Sequence, residues 1–221
     1  MGNISNLPSS QSDAERKNDL LPDHKPSRRY TKKIALVGNS GVGKKTLAKM
    51  VAYSPVDDSL LNTVGTKISK YGVRFNYPDI KVSINIIMWD LPGRPEFESM
   101  LARYVVGIEG LVVVTDLTSK NSIDRAAVWV SKVFEAIRKE VPVVFIGNKS
   151  DIATQEQIAY GRTILERLSS TYKGDFFISS AVAEINVREP FFILGKHICQ
   201  NQMKKEAQEA KDRRTGKNGQ K

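Results

Sequence analysis

The residues best equipped for chemistry form one short run, Gly38-Asn39-Ser40-Gly41-Val42-Gly43-Lys44-Lys45-Thr46. It follows the apolar Lys33-Ile34-Ala35-Leu36-Val37 and precedes the helix-prone Leu47-Ala48-Lys49-Met50-Val51-Ala52, an order of strand, glycine loop and helix. Such a loop can wrap backbone N–H groups around phosphate oxygens while the positive end of the new helix faces the same anion. Gly41 and Gly43 lack the Cβ that would stop the loop closing, and Lys44 stands where a lysine reaches terminal phosphates. The pattern G-x-x-x-x-G-K-[ST] breaks at its last position, where Lys45 replaces a hydroxyl residue meant for Mg²⁺. Shifting the frame does not repair it, because Asn39 and Lys44 would have to be glycines. Thr46 also lies about 100° further round the helix than position 45, so its hydroxyl is expected to point elsewhere.

A loop of this kind needs a sheet behind it. Val64 to Tyr77 and Ile80 to Trp89 read as a β-hairpin around Pro78-Asp79, and the second strand ends in Asp90-Leu91-Pro92-Gly93. An irregular stretch from Arg94 leads into a helical pattern around Phe97 to Val105. Leu111 to Thr115 predicts a buried strand, and Ile123 to Arg138 an amphipathic helix with Ala127, Val130, Phe134 and Ile137 near one face. Val141 to Ile146 is a second buried strand, ended by Gly147-Asn148-Lys149-Ser150-Asp151. Gln155 to Leu168 reads as a helix, Asp175 to Ile178 as a short strand, and Val187 to about Ala210 as a closing helix. The alternation predicts an α/β fold with a mostly parallel six-stranded sheet flanked by helices. Ligands of such sheets bind at the carboxyl ends of the strands, where the motifs here fall.

The chain of 221 residues suits one domain with tails. Residues 1–29, rich in Asn, Ser, Asp, Lys and Pro, read as a flexible tail; 30–202 form the domain, and 203–221 a basic tail continuing the last helix. The net charge of +10 is concentrated there: 203–221 alone carry seven Lys and Arg against three acids. Nucleic acid is not expected, since aromatic residues do not interleave with the charge. A third reading lets the basic tails touch an anionic membrane peripherally. No apolar run approaches the ~20 residues of a membrane span, and the polar N-terminus predicts a cytoplasmic protein. Cys199, the single cysteine, agrees with a reducing compartment. Met1-Gly2-Asn3-Ile4-Ser5-Asn6 invites acylation at Gly2, although that pattern wants Ser or Thr at position 6.

Five stretches in one order make the sequence similar to a small GTPase of the Ras superfamily, closest to the Rab branch, over about residues 30 to 202. They are the loop 38–46, Thr63 in the first switch, Trp89-Asp90-Leu91-Pro92-Gly93 in the second, Asn148-Lys149-Ser150-Asp151, and Ser179-Ser180-Ala181. The resemblance implies a P-loop, Ras-like G domain that binds GTP or GDP. Gly38, Ser40, Gly41, Val42, Gly43, Lys44, Lys45 and Thr46 would hold phosphates or shape their loop. Thr63, Asp90 and Gly93 would sense the outer phosphate, with Thr63 and Asp90 the candidate Mg²⁺ ligands. Asp151 can accept both N–H donors of one guanine edge, a pair adenine cannot supply. Asn148 would hold neighbouring loops and the base, Lys149 would lie along the base, and N–H groups near Ser180 and Ala181 would meet the guanine oxygen.

Three departures bear on this. Val182 replaces the lysine usual after Ser-Ala, which predicts weaker affinity. Arg94 replaces the glutamine that orients the attacking water; arginine is donor-only, so turnover is expected to be slow. Arg94 is either a solvated switch residue or a built-in cation for the outer phosphate. Lys45 puts an ammonium where the metal is expected, and two unit charges 4 Å apart interact by roughly 4 kcal/mol at an effective dielectric of 20. Either Lys45 partly replaces Mg²⁺ or the metal site has decayed. Trp89 and Trp129 read as packing residues, His24 and His197 as solvated or structural, and Cys199 as too far from the C-terminus for the family's lipid anchor. The resemblance thus implies a guanine-nucleotide switch with weak or partner-dependent hydrolysis, recognised by effectors and regulators through its switches. The alternative is a pseudo-GTPase that holds nucleotide without turnover.

Overall fold

The run Ile34-Ala35-Leu36-Val37 has no exposed residue and no polar side chain, so it can only be a strand covered on both faces. In the computed structural model, which describes residues 28–52, 54–55, 67–78, 80–94, 97 and 100–216, that run closes β1 (Arg28–Val37). Its neighbours are α1 (Lys44–Val51), a two-residue β2 (Ser54–Pro55), β3 (Lys67–Asn76) and β4 (Lys81–Asp90). Then follow α2 (Leu101–Val105), β5 (Gly110–Asp116), α3 (Lys120–Asp124), α4 (Ala126–Ile137), β6 (Val143–Asn148), α5 (Gln155–Thr171), β7 (Asp175–Ile178) and α6 (Glu189–Gly216).

The sheet order is β2-β3-β4-β1-β5-β6-β7. β4, β1, β5, β6 and β7 run parallel, whereas β3 is antiparallel to β4. The expected six-stranded α/β sheet is therefore present, with Ser54-Pro55 added as a short antiparallel edge on β3. Alternate residues of β1 feed two cores. Ile34 and Leu36 join Leu47, Val51, Phe191 and Leu194 beneath α1 and α6, while Ala35 and Val37 join Leu101, Trp129, Val133 and Leu165 beneath α2, α4 and α5.

The helix expected over Ile123 to Arg138 is two helices. Ser119 caps α3 by accepting from Ser122 N, and the chain turns at Arg125 before α4 begins. That turn moves the buried face of α4 to Ala126, Trp129, Val130 and Val133, leaving Ala127, Phe134 and Ile137 half-buried. At the other end of the sheet β1 starts at Arg28, whose guanidinium pairs with Glu206 Oε2 at 2.6 Å. Lys32, buried, donates to Glu109 Oε2 at 2.6 Å and to Gln202 Oε1 at 2.8 Å. These polar ties seat the long α6 on β1 as far as Glu206. Among the described residues no helix is long and apolar enough to cross a membrane. His24, Thr63, Asp79 and the Met1-Gly2 start lie outside the described residues.

Candidate functional site

Parallel strands bring the ends of β1, β4, β5, β6 and β7 to one edge: Leu36 is level with Asp90, Asp116 with Asn148, and Gly147 with Ile178. The loop from Gly38 to Gly43 rises from this edge and turns into α1. Gly43, the residue before α1, has φ 101°, and a Cβ there would sit 2.2 Å from Asn148 Nδ2. Only glycine permits both the backbone and that approach. Asn148 is 2% exposed and uses its amide in both directions: Nδ2 donates to Val42 O at 2.8 Å, and Oδ1 accepts from Ala181 N at 3.0 Å. One side chain thus ties the phosphate-type loop to the loops after β6 and β7.

Lys44 is buried, and its Nζ donates to Gly38 O at 2.8 Å and Asn39 O at 3.0 Å. Burial pushes this ammonium down from its ordinary 10.5 to about 8, against the opposing pull of Asp90. Asp90, half-buried at the end of β4, is therefore close enough for its charge to be felt at Lys44. Lys45 and Thr46 are both exposed. α1 opens with no acidic residue in its first turn and no side-chain cap, although Lys44 and Lys45 both stand at its positive end. Cations there are disfavoured by roughly 0.3–1 kcal/mol each. A phosphate-sized anion would reverse that penalty.

The second switch segment lies against the loop. Leu91 N donates to Leu36 O at 3.1 Å, and a Cβ on Gly93 would fall 2.2 Å from Gly38 O and 2.5 Å from Ser40 N. Arg94 is exposed.

Across the edge, Ser180 Oγ donates to Asp151 Oδ1 at 2.5 Å and accepts from Ala183 N at 2.9 Å. Asp151 itself is exposed. Ser150 N donates to Ser179 O and Ser179 N to Gly147 O, lacing the two loops together. The N–H groups of Ser180 and Ala181, expected to meet a base, are engaged by Ile185 O and Asn148 Oδ1. Val182, which follows Ala181, is 82% exposed. The structure thus gathers Gly38, Ser40, Gly41, Val42, Gly43, Lys44, Asp90, Gly93, Asn148, Lys149, Asp151, Ser180 and Ala181 at one edge.

Two residues overlooked in the sequence belong to this site. Asp116 ends β5 and pairs with Lys149 Nζ at 2.6 Å while accepting from Thr118 N and Thr118 Oγ1. Burial pushes the Asp116 carboxyl up, but the bonds from Lys149 and Thr118 outweigh it and hold the group below its ordinary value. Lys149 itself has φ 68°, a left-handed backbone uncommon for lysine. Trp129 is buried as expected of a packing residue, yet its Nε1 also donates to Asn39 Oδ1 at 3.0 Å. A carboxylate closing a strand of buried valines was the signal for Asp116, and the indole N–H, which needs a partner when buried, was the signal for Trp129.

The family model described as Ras family matches residues 33–200. The GTP-binding protein ypt2 of Schizosaccharomyces pombe is 30% identical over 171 residues, covering 76% of this chain and 82% of its own. Ras-related protein Rab-8A of Rattus norvegicus is 29% identical over 169 residues, covering 76% and 79%. Rab-8B of Homo sapiens is likewise 29% identical over 169 residues, with the same coverage.

Proposed function

The chain belongs to the Ras family, among its Rab-like members, and on that premise we propose that it is a guanine-nucleotide-binding switch whose GTP hydrolysis is weak or dependent on a partner. The observation that carries this reading is the start of α1, where two lysines and no acid crowd a positive helix end below a glycine loop. Such a local conflict is relieved by bound phosphate and is otherwise a cost. In this reading Lys44 keeps the carbonyls of Gly38 and Asn39 and turns its third N–H donor to the outer phosphates, and Asp151, steadied by Ser180, accepts the two N–H donors of guanine. Lys149, held by Asp116, lies along the base.

GTPases of this family bind GTP or GDP with Mg²⁺. The residues here fit the metal poorly: position 45 offers an exposed ammonium with no acceptor atom, and Asp90 has its charge directed at Lys44. Slow turnover follows from Arg94 as well, because a guanidinium has no lone pair with which to orient the attacking water. The same two residues support the second reading, a pseudo-GTPase that keeps its nucleotide as a fixed surface for partners. In either reading effectors and regulators meet the segments around Thr63 and Asp90 to Arg94. The segment before β1 and the basic stretch 203–221 flank the nucleotide domain. The exposed Lys204, Lys205, Lys211 and Arg213 of α6 give the second a means of peripheral contact with anionic membrane.

Two measurements test the proposal. Denaturing the purified protein and identifying released nucleotide by chromatography, then following added GTP with and without Mg²⁺, is expected to show guanine nucleotide and slow conversion to GDP. Nucleotide without conversion selects the pseudo-GTPase, and absence of both removes the proposal. Lys44 supplies the second. A lysine lowered to about 8 binds fewer protons in the folded ligand-free protein than unfolded, so this group adds stability as pH rises from about 8 toward 10.5. Bound phosphate restores the ammonium, so GDP binding at pH 8 is expected to take up about half a proton, falling to almost none near pH 6. Calorimetry in two buffers of different ionisation enthalpy reads this directly. No uptake at pH 8 would mean either that Lys44 is already fully charged in the ligand-free protein or that it does not receive the phosphates.

A further inference from the structure

Trp129 sits in the middle of α4, 3% exposed, and donates its indole N–H to a side chain 90 residues earlier, Asn39 Oδ1. Asn39 is the second residue beyond β1, where the sheet no longer holds the backbone. Its carbonyl is one of the two oxygens on which Lys44 Nζ rests, at 3.0 Å, the other being Gly38 O at 2.8 Å. Gly38 is wedged against β5, since a Cβ there would meet Val114 O at 2.1 Å. Asn39 is gripped differently: the indole holds its side chain, and Gly93 approaches its carbonyl carbon so closely that a Cβ would stand 2.4 Å away.

From this geometry we propose that Trp129 and Asn39 form a strap that positions the Lys44 ammonium for the outer phosphates of a nucleoside diphosphate or triphosphate. The proposal rests on the nucleotide-binding reading above and adds two positioning residues to it. A glycine-rich loop is entropically costly to hold, and a lysine stem with four rotatable bonds gains little from an acceptor that wanders. Fixing the Asn39 carbonyl through its side chain holds the ammonium in place before the anion arrives, which is preorganisation. The strap also begins on a helix, α4, that packs against α2, so a partner that moves α2 can be felt at the loop.

Full-length Trp129→Phe removes only the donor, Asn39→Ala only the acceptor, and Asn39→Asp keeps an acceptor. Competition titrations with GDP and GMP on each variant separate outer-phosphate recognition from general loosening. Trp129→Phe and Asn39→Ala are each expected to weaken GDP about two- to tenfold, the equilibrium factor of one hydrogen bond, while GMP changes less than twofold. The double variant should be no weaker than the worse single one, because both remove the same bond. Asn39→Asp should stay within about twofold of the wild type. Hydrogen exchange of the nucleotide-free protein gives an independent readout: residues 38–46 are expected to exchange faster in Trp129→Phe, with β5 and β6 unchanged. Unchanged GDP affinity, equal losses of GDP and GMP, or unaltered exchange of 38–46 overturns the strap. Faster exchange of 38–46 in Trp129→Phe, together with a wild type that binds no guanine nucleotide, supports the strap and removes the nucleotide reading instead.

Discussion

Asp151→Asn is expected to lower GDP affinity by about three orders of magnitude while leaving the fold intact. The expectation follows from hydrogen-bond inventory. An ionised carboxylate only accepts, and guanine offers two N–H donors on one edge; an asparagine keeps one acceptor but brings an NH₂ group against a donor. Sites that pair a polar edge in this way reject mismatched partners by about 10⁴–10⁵, so a single reversed contact costs a large part of that range. The same change favours a base that carries a carbonyl where guanine carries its amino group, so affinity for xanthosine diphosphate should rise as that for GDP falls. Asp151 is exposed and accepts from the Ser180 hydroxyl, a bond that an asparagine oxygen can still accept. Stability should therefore move little. The connection between loops runs through Asn148, not through Asp151. Competition titration against a fluorescent GDP analogue checks both nucleotides. GDP affinity within threefold of the wild type would show that Asp151 does not read the base.

Much of the architecture was legible because parallel strands declare themselves. Val112, Val113 and Val114 in β5 and Val143 to Ile146 in β6 are buried on both faces, and nothing but apolar residues can occupy them. β7 has the predicted bounds, Asp175–Ile178. Motifs that depend on adjacent residues were legible for the same local reason: Gly43 and Lys44 carry their chemistry in spacing alone. Contacts set by distant partners were not. Asp116 and Lys149 are 33 residues apart, and Trp129 and Asn39 are 90 apart, so neither pair has a periodic signature. The ends of the domain failed for a related reason. Arg28 reads as a charged tail residue and nothing near Lys32 in the sequence marks it as paired, yet Glu206 meets the first and Glu109 and Gln202 the second in the fold. A charge looks solvated in sequence until its partner is placed.

Lys45→Thr combined with Arg94→Gln is expected to raise single-turnover GTP hydrolysis by about 100-fold and to make it depend on Mg²⁺. The two positions act on different terms, so the singles should divide the effect. Lys45→Thr exchanges a cation for an oxygen ligand, which is what a divalent ion of this type requires. Because Lys45 is exposed, water screens most of its repulsion, and the bare Coulomb figure overstates what its removal gives. A tightening of Mg²⁺ affinity by about tenfold is the expected share, with little change in hydrolysis by itself. Arg94→Gln supplies an acceptor for the attacking water, and positioned groups that orient or take a proton contribute about 10²–10⁴. Here the lower bound applies, since Gly93 lies on the phosphate-type loop and the backbone before position 94 is already placed. Single-turnover assays across a Mg²⁺ series on the two singles and the double measure the terms separately. If the double variant hydrolyses no faster and its Mg²⁺ dependence is flat, the slow step lies elsewhere, and the substitutions at 45 and 94 are consequences of lost turnover instead of its cause.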